Sequence, residues 1–173
     1  MDTGTGNRAG STATDSPPHN IPYVWQFANI MCGTMTRQDT VAIFTIPGTP
    51  RPWQRARRSR HGGFFVDADT ARYKRDVATA FRQAAGADWV PVTGPVRLVM
   101  AIWYPYPART PKGRRAGFTP KATRPDIDNV VKGILDALNR VAWHDDGQVY
   151  SIVANKFYGD AGRVDVQLQV KYE

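Results

Sequence analysis

Cysteine is almost missing from this 173-residue chain. Cys32 stands alone, which excludes an intramolecular disulfide and a cysteine-based zinc site. Histidine is scarce, and His61 and His144 show no ligand spacing. No apolar run approaches the ~18 residues that span a bilayer. The N-terminus lacks the basic start and apolar stretch of a signal peptide. These absences fit a protein of a reducing cytoplasm. Acid is also in short supply: 15 Asp plus Glu stand against 23 Lys plus Arg, a formal net charge of +8. That excess calls for a polyanionic partner, nucleic acid before an acidic membrane surface.

What is present suits one ordinary domain. The apolar fraction of 42% and the aromatic fraction of 11% are those of a chain that folds around a core. Residues 1–40 read as a disordered or weakly ordered extension, and residues 41–173 as the domain. Gly, Ser, Thr, Pro and Asp dominate residues 1–22, while residues 23–34 are locally apolar and suited to docking on the domain or a partner. A start at Met35 would make the first 34 residues an extension of little function. The basic excess lies entirely after residue 40, where 21 basic residues face 12 acidic ones.

The patterns within the domain predict the order β-α-β-α-β-β, a small α/β (α+β) domain with a mixed sheet of about four strands. VAIFTI (41–46) and VRLVMAIWY (96–104) read as buried strands. Asp67 or Asp69 caps a helix that ends near Ala85 and Gly86, with Tyr73, Val77, Ala80, Phe81 and Ala84 on one face. Asp126 or Asp128 opens a second helix with a stripe of Val130, Val131, Ile134, Leu135, Leu138 and Val141. VYSIVANKFY (149–158) and RVDVQLQVKY (163–172) predict an antiparallel hairpin. In its second strand the valines and Leu168 face inward, and Arg163, Asp165, Gln167, Gln169 and Lys171 face out.

Four of the 15 acidic residues cluster at the ends of RPDIDNVVKGILDALNRVAWHDDGQV (124–149). Asp126 and Asp128 suit a helix start, and Asp145-Asp146-Gly147 suits a turn. Lys132, four residues from both Asp128 and Asp136, could be one rung of a surface ion-pair ladder. The alternative is a nuclease centre. Magnesium binds carboxylate oxygen, such ions activate water for phosphodiester cleavage, and a nearby lysine stabilises the developing charge.

The run RPDIDNVVKGILDAL, followed by DDGQV, closely resembles the RusA family of Holliday-junction resolvases. Upstream, IPGTPRPWQRARR is similar to that family's opening strand and basic segment, and DADTARYKRDV to its first helix. The resemblance spans about residues 41–172. It implies a homodimeric, magnesium-dependent endonuclease, with manganese as a substitute, that nicks opposite strands of a four-way DNA junction. By the same resemblance Asp126, Asp128 and Asp146 are catalytic metal ligands, with Asp145 the alternative in the doublet, and Lys132 is the catalytic lysine.

Two basic loops flank the acidic segment. Arg51, Arg55, Arg57 and Arg58 surround Trp53 in the first, and Arg114, Arg115, Lys121 and Arg124 follow in the second, with Phe118 among them. Such loops are commonly solvated, but next to an acidic cluster they suit phosphate contact, and the aromatics suit stacking on an unpaired base. The rival readings are a non-catalytic binder of branched DNA and a nuclease of broader flap or fork specificity. An extended chain could bring Asp146 back to Asp126 in one subunit, or antiparallel helices of two subunits could join them. The single-subunit site is preferred here, within a twofold dimer.

Overall fold

The structure, a computed structural model, describes residues 38–54, 57–58, 62, 64–65, 67–111 and 118–171. Its elements in order are β1 (Gln38–Pro47), β2 (Arg57–Arg58), β3 (Phe64–Phe65), α1 (Ala68–Ala85), β4 (Val96–Pro105), β5 (Thr119–Pro120), α2 (Ile127–Leu138), a 3-10 turn (Asp146–Gln148), β6 (Val149–Gly159) and β7 (Arg163–Lys171). The expected order of long strands and helices holds, and the fold is a mixed α+β domain. Two short pieces were not foreseen. β2 and β3 pair antiparallel within the first basic loop, and β5 adds a two-residue edge to the sheet.

α1 begins and ends where its sequence says. Asp67 accepts a hydrogen bond from the Thr70 backbone N–H, and Gly86 closes the helix with φ +91°, a conformation that glycine adopts without steric cost. Tyr73, Val77, Ala80 and Phe81 are buried as the helical period requires, whereas Ala84 at the outer end stays exposed. Both helices pack on the same face of the sheet. They enclose Phe44 and Ile46 of β1, Leu98, Met100 and Ile102 of β4, and Val164, Val166 and Leu168 of β7. Each fully buried side chain of this size contributes about 1.5–3 kcal/mol.

The five-stranded sheet has the order β1-β7-β4-β6-β5. The expected β6–β7 hairpin is therefore corrected: β4 lies between the two strands, parallel to β6 and antiparallel to β7. β4 is buried on both faces from Val96 to Tyr104, and such a strand is stable in the centre of a sheet, hydrogen-bonded on both edges. The short link from Gly159 to Arg163 crosses the end of β4, since Gly159 pairs with Pro105 and Arg163 with Trp103. Gly162 lets that link pass; a Cβ there would sit 2.7 Å from Thr49 Cα.

The outward residues of β7 are also corrected. Asp165, Gln167 and Gln169 are all less than a tenth exposed. Burial is tolerated because each is paired. Asp165 accepts from Thr45 Oγ1 (2.8 Å), Trp103 Nε1 (2.8 Å) and Arg163 Nε (3.1 Å). Gln167 Nε2 donates to Thr40 Oγ1 at 2.7 Å, and Gln169 Oε1 accepts from Arg97 Nη1 at 2.9 Å.

Candidate active site

α2 carries the acidic pair. Asp126 occupies its N-cap position, yet the Asp126 side chain makes no capping hydrogen bond. Asp128 lies in the first turn. Both are exposed, and both line an open cleft of about 570 Å³ with Lys121, Thr123, Arg124 and Lys156. The positive end of the helix dipole faces the same cleft and favours negative charge there. Hard carboxylate oxygens at an exposed helix start can hold a divalent cation of the magnesium type, which needs few protein ligands.

Lys132 is exposed one turn further along α2. Its Nζ lies 3.8 Å from Asp136 Oδ1 and 5.1 Å from the centre of the Trp53 ring. Asp136 also binds Lys74 of α1 at 3.3 Å. Among the described residues, Lys132 thus pairs with Asp136 and not with Asp128. The first basic loop is fastened to this helix, because the Trp53 N–H donates to the Asn129 carbonyl at 2.7 Å. Trp53 therefore stands beside Lys132 at the site.

The acidic doublet lies elsewhere. Asp145 caps the 3-10 turn: its carboxylate accepts from the Gly147 N–H at 2.8 Å, and its own N–H donates to Gln148 Oε1. Asp146 accepts from the buried Trp143 Nε1 at 3.0 Å through one oxygen. The turn is anchored at the start of β4, since Gln148 Nε2 donates to the carbonyls of Val92 and Gly94. Asp126 shares its cleft with Asn155 and Lys156, further along β6 from the turn that precedes that strand. Among the described residues no three His, Cys, Asp or Glu side chains come together as a metal site. β6 runs on from the doublet to Asn155 and Lys156 at the cleft, and complementation between Asp126 and Asp146 variants distinguishes a site within one chain from a shared one. The Trp143 indole that orients Asp146 had no signal in the sequence, because the contact depends on how the turn folds back.

The basic residues divide. Arg51 and Arg124 are exposed, with Arg51 paired to Asp69 at 3.0 Å. Arg57 and Arg58 belong to the β2–β3 pairing. Arg55, Arg114 and Arg115 lie outside the described residues. Lys121, expected as a phosphate contact, lines the cleft but is largely buried, and its Nζ donates to the Thr123 carbonyl, the Thr123 hydroxyl and the Arg124 carbonyl. Phe118 packs on Trp103 and Phe157 while remaining 43% exposed. Lys156, not singled out from sequence, enters the cleft from β6, and burial pushes its ammonium below the ordinary lysine range, with Lys121 adding to the shift.

An uncommitted acid pair in a cleft walled by lysine and arginine is a setting for chemistry on a phosphate polyanion. The sequence matches the family described as endodeoxyribonuclease RusA over residues 47–169. It is also 32% identical over 135 residues to Uncharacterized protein YqaN of Bacillus subtilis (strain 168), a match covering 73% of this chain and 94% of that relative. The chain belongs to the RusA endodeoxyribonuclease family. No helix among the described residues is long and apolar enough to cross a membrane.

Proposed function

We propose that the protein is a magnesium-dependent, structure-selective endonuclease that resolves four-way DNA junctions by paired nicks in opposite strands. The observation that carries this reading is the Asp126 carboxylate, left unspent by its own helix beside Asp128 in a basic cleft, in a chain of this family. Asp126 and Asp128 would hold the cation, and manganese suits the same oxygen donors. Bound there, the ion would stabilise charge on the phosphoryl group undergoing hydrolysis. Lys132 offers a cation along the same helix face, with Trp53 holding its position. Arg51 and Arg124 contact flanking phosphates, and Arg55, Arg57, Arg58, Arg114 and Arg115 extend that contact along the arms.

Asp146 joins the site from a second copy of the chain. Asp146 Oδ1 is taken by the Trp143 indole, and a twofold dimer with antiparallel α2 helices would bring the other oxygen of each doublet to the other chain's acid pair. The flank of α2 suits such a partner. Ile127 of α2 and Tyr150 and Ile152 of β6, between 36% and 50% exposed, are large side chains that a partner could cover. Two symmetric sites match a junction with two strands to cut.

The test is incubation with labelled four-way junction, fork and linear duplex, with and without magnesium. Metal-dependent symmetric nicking of the junction is expected. Equal cutting of forks and flaps would broaden the specificity, and binding without cutting would make the protein a branched-DNA binder. Mixing Asp126→Asn with Asp146→Asn chains tests the shared site: activity should reappear in the heterodimer and nick one strand. Failure of complementation, or a monomer with and without junction, would reject sharing.

A further inference from the structure

Lys121 and Lys156 line the cleft with Asp126 and Asp128. The chain leading into Asp126 is folded around their two ammonium groups. Lys121 Nζ donates to the Thr123 carbonyl at 3.1 Å, to the Thr123 hydroxyl at 2.6 Å and to the Arg124 carbonyl. An ammonium has three N–H donors, so Lys121 is fully committed. It is also buried beneath the cleft, 4.9 Å and 5.4 Å from the ring centres of Tyr104 and Tyr158.

Lys156 is used differently. Its Nζ donates to the Thr123 carbonyl at 2.7 Å and to the Pro125 carbonyl at 2.5 Å. Its third donor has no acceptor among the described residues, and the side chain lines the cleft with Asp126, Asp128 and Arg124. One lysine already grips two of the three carbonyls before Asp126. A second ammonium beside the first adds like-charge repulsion, which an anion in the cleft would relieve. The two carboxylates cannot attract such an anion, whereas the free N–H of Lys156 can.

We propose that Lys156 is a DNA-contacting residue of this site: one N–H binds a non-bridging oxygen of a phosphate seated in the cleft, while the other two hold the backbone that presents Asp126. The assignment rests on the junction-endonuclease reading and adds to it a cation that couples phosphate binding to carboxylate placement. Lys121 supports the same turn without touching DNA.

The experiment compares full-length wild type with Lys156→Met, Lys156→Arg and Lys121→Met. Binding to a four-way junction is measured without magnesium over a range of salt, and cleavage is measured in single turnovers with magnesium. Lys156→Met should bind roughly tenfold more weakly, the effect of one hydrogen bond to a charged group. Its slope of log K against log salt should be shallower by about one. Lys156→Arg should keep the slope, and Lys121→Met should lose less slope and less affinity than Lys156→Met while melting earlier. A junction carrying a neutral methylphosphonate at the cut position should bind wild type more weakly, with no further loss in Lys156→Met. An unchanged slope in folded Lys156→Met, additive losses, or an equal loss in Lys121→Met would overturn the proposal. If Lys156→Met does not fold, wild-type indifference to the methylphosphonate overturns it, and weaker wild-type binding together with a retained slope in Lys156→Arg supports it. A wild type that neither binds nor cuts branched DNA fails on the junction reading and takes this proposal with it.

Discussion

Helix α1 opens with Asp67-Ala68-Asp69, and helix α2 opens with Asp126-Ile127-Asp128. The spacing is the same, the cap backbones are both non-helical, and both pairs face an N-terminal dipole. Their fates differ. Asp67 is bonded to the Thr70 N–H, and Asp69 is paired with Arg51. Asp126 makes no cap bond, and Asp128 forms no ion pair with Lys132 four residues on. One acid pair is consumed in starting its helix; the other is held ready for something outside the chain. A carboxylate at a helix start is thus informative only when its hydrogen bonds are counted.

The sharpest way to break this comparison is to exchange the fates of the two pairs by mutation. Asp126→Asn should lower cleavage on the order of a thousandfold, about 4 kcal/mol of transition-state stabilisation, with junction binding intact. Asp67→Asn should cut at the wild-type rate. Comparable loss in both variants, measured in single turnovers, would erase the distinction.

Next comes the core that both helix starts rest on. Burial pushes the Tyr104 phenol up to about 12, and it raises Tyr73 in the same direction. Above pH 10 the unfolded chain releases protons that the folded one keeps, so folded stability is lost as pH rises. Urea midpoints should be flat below about pH 10 and fall toward pH 12. Replacing Tyr104 with Phe should reduce that slope, and an unaltered profile would remove this residue from the account.

Smaller effects separate the caps themselves. Asp67→Ala should cost about 1 kcal/mol in urea unfolding, the ordinary value of a cap hydrogen bond. Asp126→Ala should cost clearly less, since its side chain satisfies no N–H. The reverse order would mean that Asp126 caps α2 in solution. Smallest of all is Asp69→Ala, which removes an exposed ion pair to Arg51 and should shift stability by about 0.2–1 kcal/mol. Freed of its partner, Arg51 should bind junction slightly better at low salt, a change that titrations at two ionic strengths would register.

Much of the fold was written in local pattern. The 3.6-residue period with Asp67 and Gly86 marked α1, and the apolar stripe from Val130 to Val141 marked α2, although the helix ends at Leu138 and Val141 lies beyond it. The Asp-x-Asp, the lysine and the second doublet were visible as a motif because they lie within 26 consecutive residues. The family match over residues 47–169 agrees with that reading.

Other features depended on residues far apart in the chain. The alternation in β7 correctly gave its two faces, but it could not show that Asp165 would be buried by Trp103 and Thr45. The turn at Gly159–Gly162 looked like a hairpin because sequence shows the length of a link and not what it crosses. Lys121 looked like one more basic loop residue until its three acceptors and two aromatic rings closed over it.

Sequence by itself therefore determined which long segments are helix or strand and which residue types could do phosphodiester chemistry, because caps, periodicity and turn chemistry act within a few residues. Tertiary structure alone decided that β4 parts β6 from β7, that Asp126 is unspent while Asp67 is not, and that the acidic doublet is held by a 3-10 turn and the Trp143 indole. Those outcomes depend on which distant groups compete for each hydrogen bond and each face of the sheet, and that competition exists only after the chain has packed.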